Sequence, residues 1–203
     1  MRCGWNSALP GPGGCDLPVD PSPDDAAFAG SVSAWAAENL CLDPRRLFTA
    51  GFSNGGALLY RLYCEQALAR HGYAAFATAG AAASAAATPG GTLCRPAARL
   101  ASLNLCGAED GCFAEVEPQL GSFARWANCT GAEAGQPPAR RELSSTSACL
   151  VARGCPRAAP AEACVVQGLS HCWPAVPGGG EPACPDEGNG HAASCLVCME
   201  NHE

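Results

Sequence analysis

Apolar side chains recur along the chain with two different periods, and the first clear run has the period of a helix. Phe28, Val32 and Trp35 follow one another at steps of four and three residues, which is the spacing along one side of a helix. Ser22 belongs to a residue type that caps helix starts, and it lies just ahead of this run. The pattern therefore predicts a helix that begins after Ser22 and ends near Leu40.

Further along the chain, short apolar runs alternate with runs of helical period. The predicted strands cover residues 47–50, 74–83, 100–106 and 163–168, and the predicted helices cover residues 57–69 and 121–127. Residues 128–160 carry several turn-forming Pro and Gly residues and are expected to form a loop. Strands that are separated by helices favour an α/β fold, with the four strands parallel and in sequential order.

A G-x-S-x-G motif stands where the first predicted strand meets a predicted helix. Gly51-Phe52-Ser53-Asn54-Gly55 has the strand-turn-helix setting of a nucleophile elbow, whose sharp turn presents the serine at the carboxyl end of the sheet. The backbone amide of Asn54, at the start of the helix, could then donate a hydrogen bond to an oxyanion that develops on a substrate. The alternative is a tight turn that a serine caps.

A nucleophilic serine needs a base, and the base needs a carboxylate that orients it. His171 follows the last predicted strand and Asp110 follows the strand before it, so both are expected at the same edge of the sheet as Ser53. His71 lies just past the helix that follows Ser53, on the wrong side of the sheet, and the other two histidines lie in the tail. Glu109 remains an alternative to Asp110. The chain order Ser53, Asp110, His171 is the order found in α/β-hydrolases.

Composition and charge narrow the classes of partner. Hydrophobic residues make up 48% of the 203 residues, which is enough for a packed core. The formal net charge is −7 and the chain has no basic cluster, so nucleic acid and anionic membrane surfaces are not expected as partners. The sequence also lacks a run of about 18 strongly apolar residues, which argues against a membrane span. The oligomeric state is left open.

Cysteine is unusually frequent, with 15 residues spread along the chain. Such a content is typical of disulfide-bonded proteins in an oxidising compartment, and the odd number leaves at least one thiol free or paired outside the chain. Cys41 and Cys64 are both expected near the bottom of the sheet, so a bridge between them is feasible, whereas the other pairings stay open. Asn128 begins an N-glycosylation sequon, which also favours secretion. Met1 is not followed by a signal peptide, so we expect the true N-terminus to be missing.

Four segments together resemble a family of secreted esterases. They are Asp24-Asp25-x-x-Phe28, Asp43-Pro44-Arg45-Arg46-Leu47, Gly51-Phe52-Ser53-Asn54-Gly55-Gly56 and Ser170-His171-Cys172-Trp173-Pro174. The family groups polyhydroxybutyrate depolymerase-like enzymes with feruloyl and acetylxylan esterases, and the resemblance covers roughly residues 4–174. It implies an α/β-hydrolase fold, with three α/β/α layers and a mostly parallel sheet, in which Ser53 is the nucleophile, His171 the base and Asp110 the acid.

The same resemblance implies that part of the domain is absent from this chain. Members of the family carry further strands ahead of the segment matched by Gly4-Trp5-Asn6, and one of these strands ends in a His-Gly turn that supplies the second oxyanion donor. Nothing in residues 1–22 matches that turn. We therefore expect an irregular segment at 1–22, the C-terminal two thirds of a hydrolase catalytic domain at 23–174, and a Cys/Gly/Pro-rich tail at 175–203. We also expect the chain alone to fold poorly and to react slowly.

The tail raises the question of a metal site. His191, Cys195, Cys198 and His202 have the spacing of zinc-ligand pairs. In a tail so rich in cysteine we favour coincidence, and no metal is expected.

The function expected from these observations is extracellular hydrolysis of carboxylic esters by a serine-dependent enzyme. The resemblance implies polyesters, or the feruloyl and acetyl esters of plant cell walls, as substrates. The partner is then an ester, polymeric esters included, and no cofactor is needed. One rival is a catalytically inactive, Cys-rich secreted binding domain on the same fold, and another is a zinc-stapled interaction module.

Overall fold

The computed structural model describes Trp5 and residues 23–43, 45–81 and 99–173. These residues form a six-stranded sheet with helices packed against it. The strands are β1 (Leu47–Phe52), β2 (Tyr73–Ala79), β3 (Ala101–Gly107), β4 (Ala139–Glu142), β5 (Ser147–Val151) and β6 (Ala161–Val166). The helices are α1 (Asp25–Asn39), α2 (Asn54–Cys64), α3 (Ala67–Arg70), α4 (Val116–Trp126) and α5 (Thr130–Glu133), with a 3₁₀ turn at Phe113–Glu115. The mixed α/β class predicted from the sequence is confirmed.

The sheet is mostly parallel, and its strand order is β1-β2-β3-β6-β5-β4. The pairs β1–β2, β2–β3 and β3–β6 are all parallel, so the four predicted strands lie side by side in sequential order, as expected. Because these strands run in the same direction, their carboxyl ends meet at one edge of the sheet. The turns that follow β1, β3 and β6 are therefore neighbours, and the arrangement is compatible with a three-layer α/β fold.

The other two strands lie in a segment for which the sequence predicts a loop. Within residues 128–160, β4 and β5 form an antiparallel hairpin, and β5 pairs with β6. The prediction is wrong here because β4 reads Ala-Arg-Arg-Glu and has no alternating apolar side chains that would indicate a strand. Long-range contacts stabilise the hairpin instead: Arg141 forms an ion pair with Glu162 on β6, and the buried disulfide Cys149–Cys164 ties β5 to β6.

The first predicted helix is confirmed as α1, with a different cap. Its N-cap is Asp24, whose side chain accepts a hydrogen bond from the Ala27 amide at 2.9 Å. An ionised carboxylate at this position also complements the positive end of the helix dipole. The predicted cap, Ser22, lies outside the described residues. The last helical residue is Asn39, one residue before the predicted end.

The side of α1 that faces the protein is made of small residues. The apolar side chains that revealed the helix are turned to solvent, with Phe28 56% and Trp35 59% exposed. On the inner side, the Ser33 hydroxyl hydrogen-bonds the Tyr73 hydroxyl at 2.7 Å. Gly30 lies against the side chain of His71, the residue that follows α3, and an added Cβ would come within 2.4 Å of the His71 ring. Helical period shows which residues share a side but not which side points inward.

The hydrophobic core lies between α2, α4 and one face of the sheet. Tyr63 of α2 contacts Phe76 of β2 at a ring separation of 4.8 Å, and Phe76 contacts Phe123 of α4 at 5.5 Å. The predicted helix over 57–69 is divided, because Gln66 takes a left-handed conformation with φ of 61° between α2 and α3. These contacts hold α2, whose first turn follows Ser53, firmly against the sheet.

Within the part of the chain that the structure describes, three disulfides join Cys106 to Cys112, Cys129 to Cys155 and Cys149 to Cys164. Cys41 is free and exposed, whereas Cys64 is disulfide-bonded, so the bridge considered between these two cysteines is wrong. Two cysteines at the same end of a sheet can form a disulfide only if their Cα atoms are close and their Cβ atoms point towards each other. Several disulfides indicate an oxidising environment. None of the helices described here is both long and apolar enough to cross a membrane.

Candidate active site

Ser53 stands in a strained turn between β1 and α2. Its backbone has φ of 51° and ψ of −118°, a combination that non-glycine residues rarely adopt and that is often found at functional sites. The turn is held by two backbone hydrogen bonds: the Ser53 amide donates to Ala79 at 2.9 Å, and the Ser53 carbonyl accepts from Ala57 at 3.0 Å. A Cβ on Gly51 would lie 2.4 Å from the carbonyl oxygen of Gly55, so the close approach of strand and helix requires glycine there. The strand-turn-helix setting predicted for the motif is confirmed.

The structure brings Ser53, His171 and Asp110 into one hydrogen-bonded chain. His171 Nε2 lies 2.8 Å from Ser53 Oγ, and His171 Nδ1 lies 2.9 Å from Asp110 Oδ2. Both distances are those of good hydrogen bonds, so the geometry predicted for these three side chains is confirmed. They come from the turns after β1, β3 and β6, whose carboxyl ends share one edge of the sheet. His71, by contrast, lies just ahead of β2, where it packs against Gly30 of α1 and takes no part in this hydrogen-bonded chain.

Of the two adjacent acids, Asp110 is the one that contacts the imidazole. Its carboxylate is nearly buried, with 4% of the side chain exposed. One oxygen accepts from His171 Nδ1, and the other accepts from the Cys112 amide at 3.3 Å. The Glu109 side chain is exposed to solvent, while its amide donates to the Leu169 carbonyl at 3.1 Å. The alternative that the sequence left open is thus decided in favour of Asp110 on geometry.

Asn54 occupies the place predicted for it, at the first residue of α2. Its backbone amide follows Ser53 directly and belongs to the positive end of the helix dipole, where negative charge is stabilised. The Asn54 side chain accepts a hydrogen bond from the Trp5 amide at 2.6 Å. This contact ties Trp5 to the start of α2, beside Ser53.

Aromatic side chains form one wall beside the hydrogen-bonded chain. The Phe52 ring lies 4.9 Å from the His171 ring and 6.0 Å, edge-on, from the Trp173 ring. Trp173 is 50% exposed, so its indole is accessible from solvent next to His171. The sequence pattern by itself indicates no role for Phe52 or Trp173. Their positions could have indicated that they lie at the site, since Phe52 directly precedes Ser53 and Trp173 is two residues after His171.

The two clusters of potential metal ligands within the described part of the chain contain no free thiolate. Two groups there bring cysteine and acidic side chains within 4.8 Å of one another: Cys106, Asp110 and Cys112, and Cys149, Glu162 and Cys164. In each group the two sulfurs are bonded to each other and so cannot act as the thiolates that zinc prefers. The cluster His191, Cys195, Cys198 and His202 lies outside the described residues.

Tyr60 ties α2 to the strand next to β1. Its hydroxyl hydrogen-bonds Thr78 Oγ1 at 2.8 Å, and both side chains are buried. Burial raises the pKa of Tyr60 far above its ordinary value of 10.0, although the hydrogen bond to Thr78 opposes this. Burial likewise raises the pKa of Tyr63. Both phenols therefore stay neutral in the folded protein at pH values where an unfolded chain ionises.

We expect the free energy of unfolding to fall as the pH rises above about 10. Ionisation of Tyr60 then stabilises only the unfolded state, by about 1.4 kcal/mol per pH unit. The Tyr60→Phe variant loses this contribution, so its stability should fall less steeply between pH 10 and 11. Urea unfolding followed by tryptophan fluorescence at several pH values measures both slopes. Identical slopes for the two proteins would show that Tyr60 ionises normally in the folded state.

In comparisons with known proteins, no family model matches the chain and no curated protein is a significant match. The assignment of roles to Ser53, His171 and Asp110 therefore rests on the geometry of the site and on its motifs.

Proposed function

We propose that this protein is a serine-dependent carboxylic ester hydrolase. The observation that carries the proposal is the hydrogen-bonded chain from Ser53 through His171 to Asp110, at distances of 2.8 and 2.9 Å. A serine, a histidine and a buried carboxylate in this order are the parts of the catalytic triad of acyl-transfer enzymes. The strained turn at Ser53 supports the same role, because a strand-to-helix turn of this kind exposes the serine oxygen in nucleophile elbows, and the Ser53 side chain makes no capping hydrogen bond to α2.

In the proposed reaction, His171 Nε2 removes the proton from Ser53 Oγ as that oxygen attacks the ester carbonyl. The Asn54 amide stabilises the negative charge on the carbonyl oxygen. The attack forms a tetrahedral intermediate. When this intermediate collapses, the alcohol leaves with the proton from His171, and the acyl group stays on Ser53. Water then attacks the acyl group with His171 again as base, and the acid is released. Asp110 holds the imidazole in the tautomer that can accept a proton at Nε2 and stabilises its charged form.

The α/β-hydrolase fold and the substrate class belong to the same proposal. The four motif segments that resemble secreted esterases favour polyesters, or feruloyl and acetyl esters of plant cell walls, including polymeric substrates. The accessible indole of Trp173 beside His171 is suited to an apolar or flat part of such a substrate. The disulfides fit a secreted protein that works outside the cell.

A fluorophosphonate probe tests the proposal because it forms a covalent bond only with an activated serine. We expect the probe to label the wild-type protein once, with peptide mapping placing the label on Ser53. The Ser53→Ala variant should remain unlabelled. Ser144→Ala is a matched control, since Ser144 is exposed in the turn between β4 and β5 and should not affect labelling. A folded wild-type protein that is not labelled would favour the inactive binding domain instead.

A further inference from the structure

The loop that carries Asp110 is closed by a covalent bond. Cys106, in β3, forms a disulfide with Cys112, six residues further on, and Asp110 lies between them. Both cysteines are buried. The disulfide therefore connects the end of a central strand to the segment that follows the acid.

One oxygen of the Asp110 carboxylate is bound to the backbone of the cysteine that closes this loop. The Cys112 amide donates to Asp110 Oδ1 at 3.3 Å, while Asp110 Oδ2 faces His171. Two further backbone bonds shape the turn: the Asp110 amide donates to Gly107 at 3.2 Å, and the Phe113 amide donates to the Asp110 carbonyl at 3.0 Å. The position of Cys112 therefore influences where the carboxylate sits relative to the imidazole.

The same loop is joined to the segment that leads to His171. The Ala108 amide donates to the Val166 carbonyl at 2.9 Å, at the end of β6. At Gly107 the two segments are in such close contact that an added Cβ would lie 2.0 Å from the Leu169 carbonyl oxygen. The closed loop is thus attached to both β3 and β6, and it places Asp110 next to His171.

The residue that joins Asp110 to Cys112 is a glycine without packing neighbours. The turn contains Gly107 and Gly111, and a Cβ added at Gly111 would meet no atom within 4 Å. A glycine without packing neighbours leaves the backbone free to sample other conformations. A short covalent loop removes most of that freedom.

We propose that the Cys106–Cys112 disulfide is a positioning element of the site, which keeps the Asp110 carboxylate on His171 Nδ1. The inference rests on the proposed function for its kinetic consequences. Its expected signature is a loss of kcat with little change in KM, because Asp110 acts on the imidazole and not on the bound ester. The other two described disulfides hold no residue of the Ser53–His171–Asp110 chain within their loops.

The test compares two variants that each remove one buried disulfide. In Cys106→Ala/Cys112→Ala we expect kcat for p-nitrophenyl acetate to fall about 10²-fold, the effect of a misplacement of about 1 Å at a catalytic group. In the matched control Cys149→Ala/Cys164→Ala we expect kcat to change less than about threefold while the melting temperature falls. Adding Gly111→Ala to the first variant should restore part of kcat, because alanine stiffens the turn without a clash.

A purely structural role predicts a different pattern. If the disulfide acts through Asp110, removing it from an Asp110→Asn protein should cost almost nothing more, since the contact to be positioned is already lost. A loss by the same factor in both backgrounds would overturn the proposal. Should the disulfide-free variant not fold, Cys106→Val/Cys112→Ala replaces more of the lost volume. Failure of both variants to fold would also overturn the proposal, because the bond would then be needed for folding as such.

A proton NMR measurement separates this inference from the proposed function. The His171 Nδ1 proton, hydrogen-bonded to a buried carboxylate, should resonate far downfield in the wild type and in the Cys149→Ala/Cys164→Ala control. It should be lost or broadened in Cys106→Ala/Cys112→Ala. A wild-type protein that hydrolyses no ester but keeps this resonance contradicts the proposed function alone. A resonance unchanged in the disulfide-free variant contradicts the positioning role alone.

Discussion

Ser53→Ala and His171→Ala are each expected to abolish ester hydrolysis, with a loss of about 10⁶-fold in kcat. Ser53 Oγ is the only proposed nucleophile, and His171 Nε2, at 2.8 Å from it, is the group that would remove its proton. Because each is useless without the other, the double variant should be little worse than either single variant. Initial rates with p-nitrophenyl acetate, measured on folded protein, give all three values.

Two control variants separate these losses from general damage. His71→Ala removes a histidine that packs against Gly30 rather than at the site, and Ser144→Ala removes an exposed serine. Both controls should keep activity within a few-fold of the wild type at a temperature where they are folded. Losses that multiply in the Ser53→Ala/His171→Ala protein would mean that the two residues act separately, contrary to the proposed mechanism.

Asp110→Asn is expected to lower kcat by about 10⁴-fold while leaving the fold intact. The asparagine side chain has the shape of aspartate but can donate its amide hydrogens to His171 Nδ1, which favours the tautomer that cannot accept a proton at Nε2. The neighbouring variant Glu109→Gln is the matched control, since the Glu109 side chain is exposed and makes no contact with His171 among the hydrogen bonds described. We expect it to change kcat less than about threefold.

The kinetics of these two variants decide which acid serves the base. The reverse ranking, with Glu109→Gln the more damaging, would show that Asp110 has only a structural role in its turn. Equal and small effects would show that the base needs no carboxylate. Circular dichroism and melting temperatures of both variants check that the comparison is made between folded proteins.

Much of the site could be predicted from the sequence because its parts are local. Glycines around Ser53 permit the sharp turn, and the apolar run before it and the helical run after it indicate the elements on either side. Asp110 and His171 each follow a predicted parallel strand, and the carboxyl ends of parallel strands share one edge of a sheet. The sequence therefore predicts both residues near Ser53. The strands that this prediction needs, near residues 100–106 and 163–168, are short apolar runs that the structure contains within one or two residues.

Only the tertiary structure decided the features that depend on contacts between distant residues. Glu109 and Asp110 are adjacent in the sequence, and only the structure shows that Asp110 is the acid whose carboxylate faces His171. Strand β4 has no apolar pattern and is recognisable only through its pairing with β5.

The same holds for cysteine pairing and for the orientation of α1. The sequence predicts Cys41 and Cys64 at similar positions near the bottom of the sheet, yet Cys41 is exposed and unpaired. The apolar residues Phe28 and Trp35 of α1 share one side of the helix and are exposed, whereas small residues on the opposite side pack against His71 and Tyr73. Periodicity and turn chemistry are properties of a few consecutive residues, so the sequence alone determines them. Facing, pairing and burial are relations between segments far apart in the chain, and they exist only once the chain has folded.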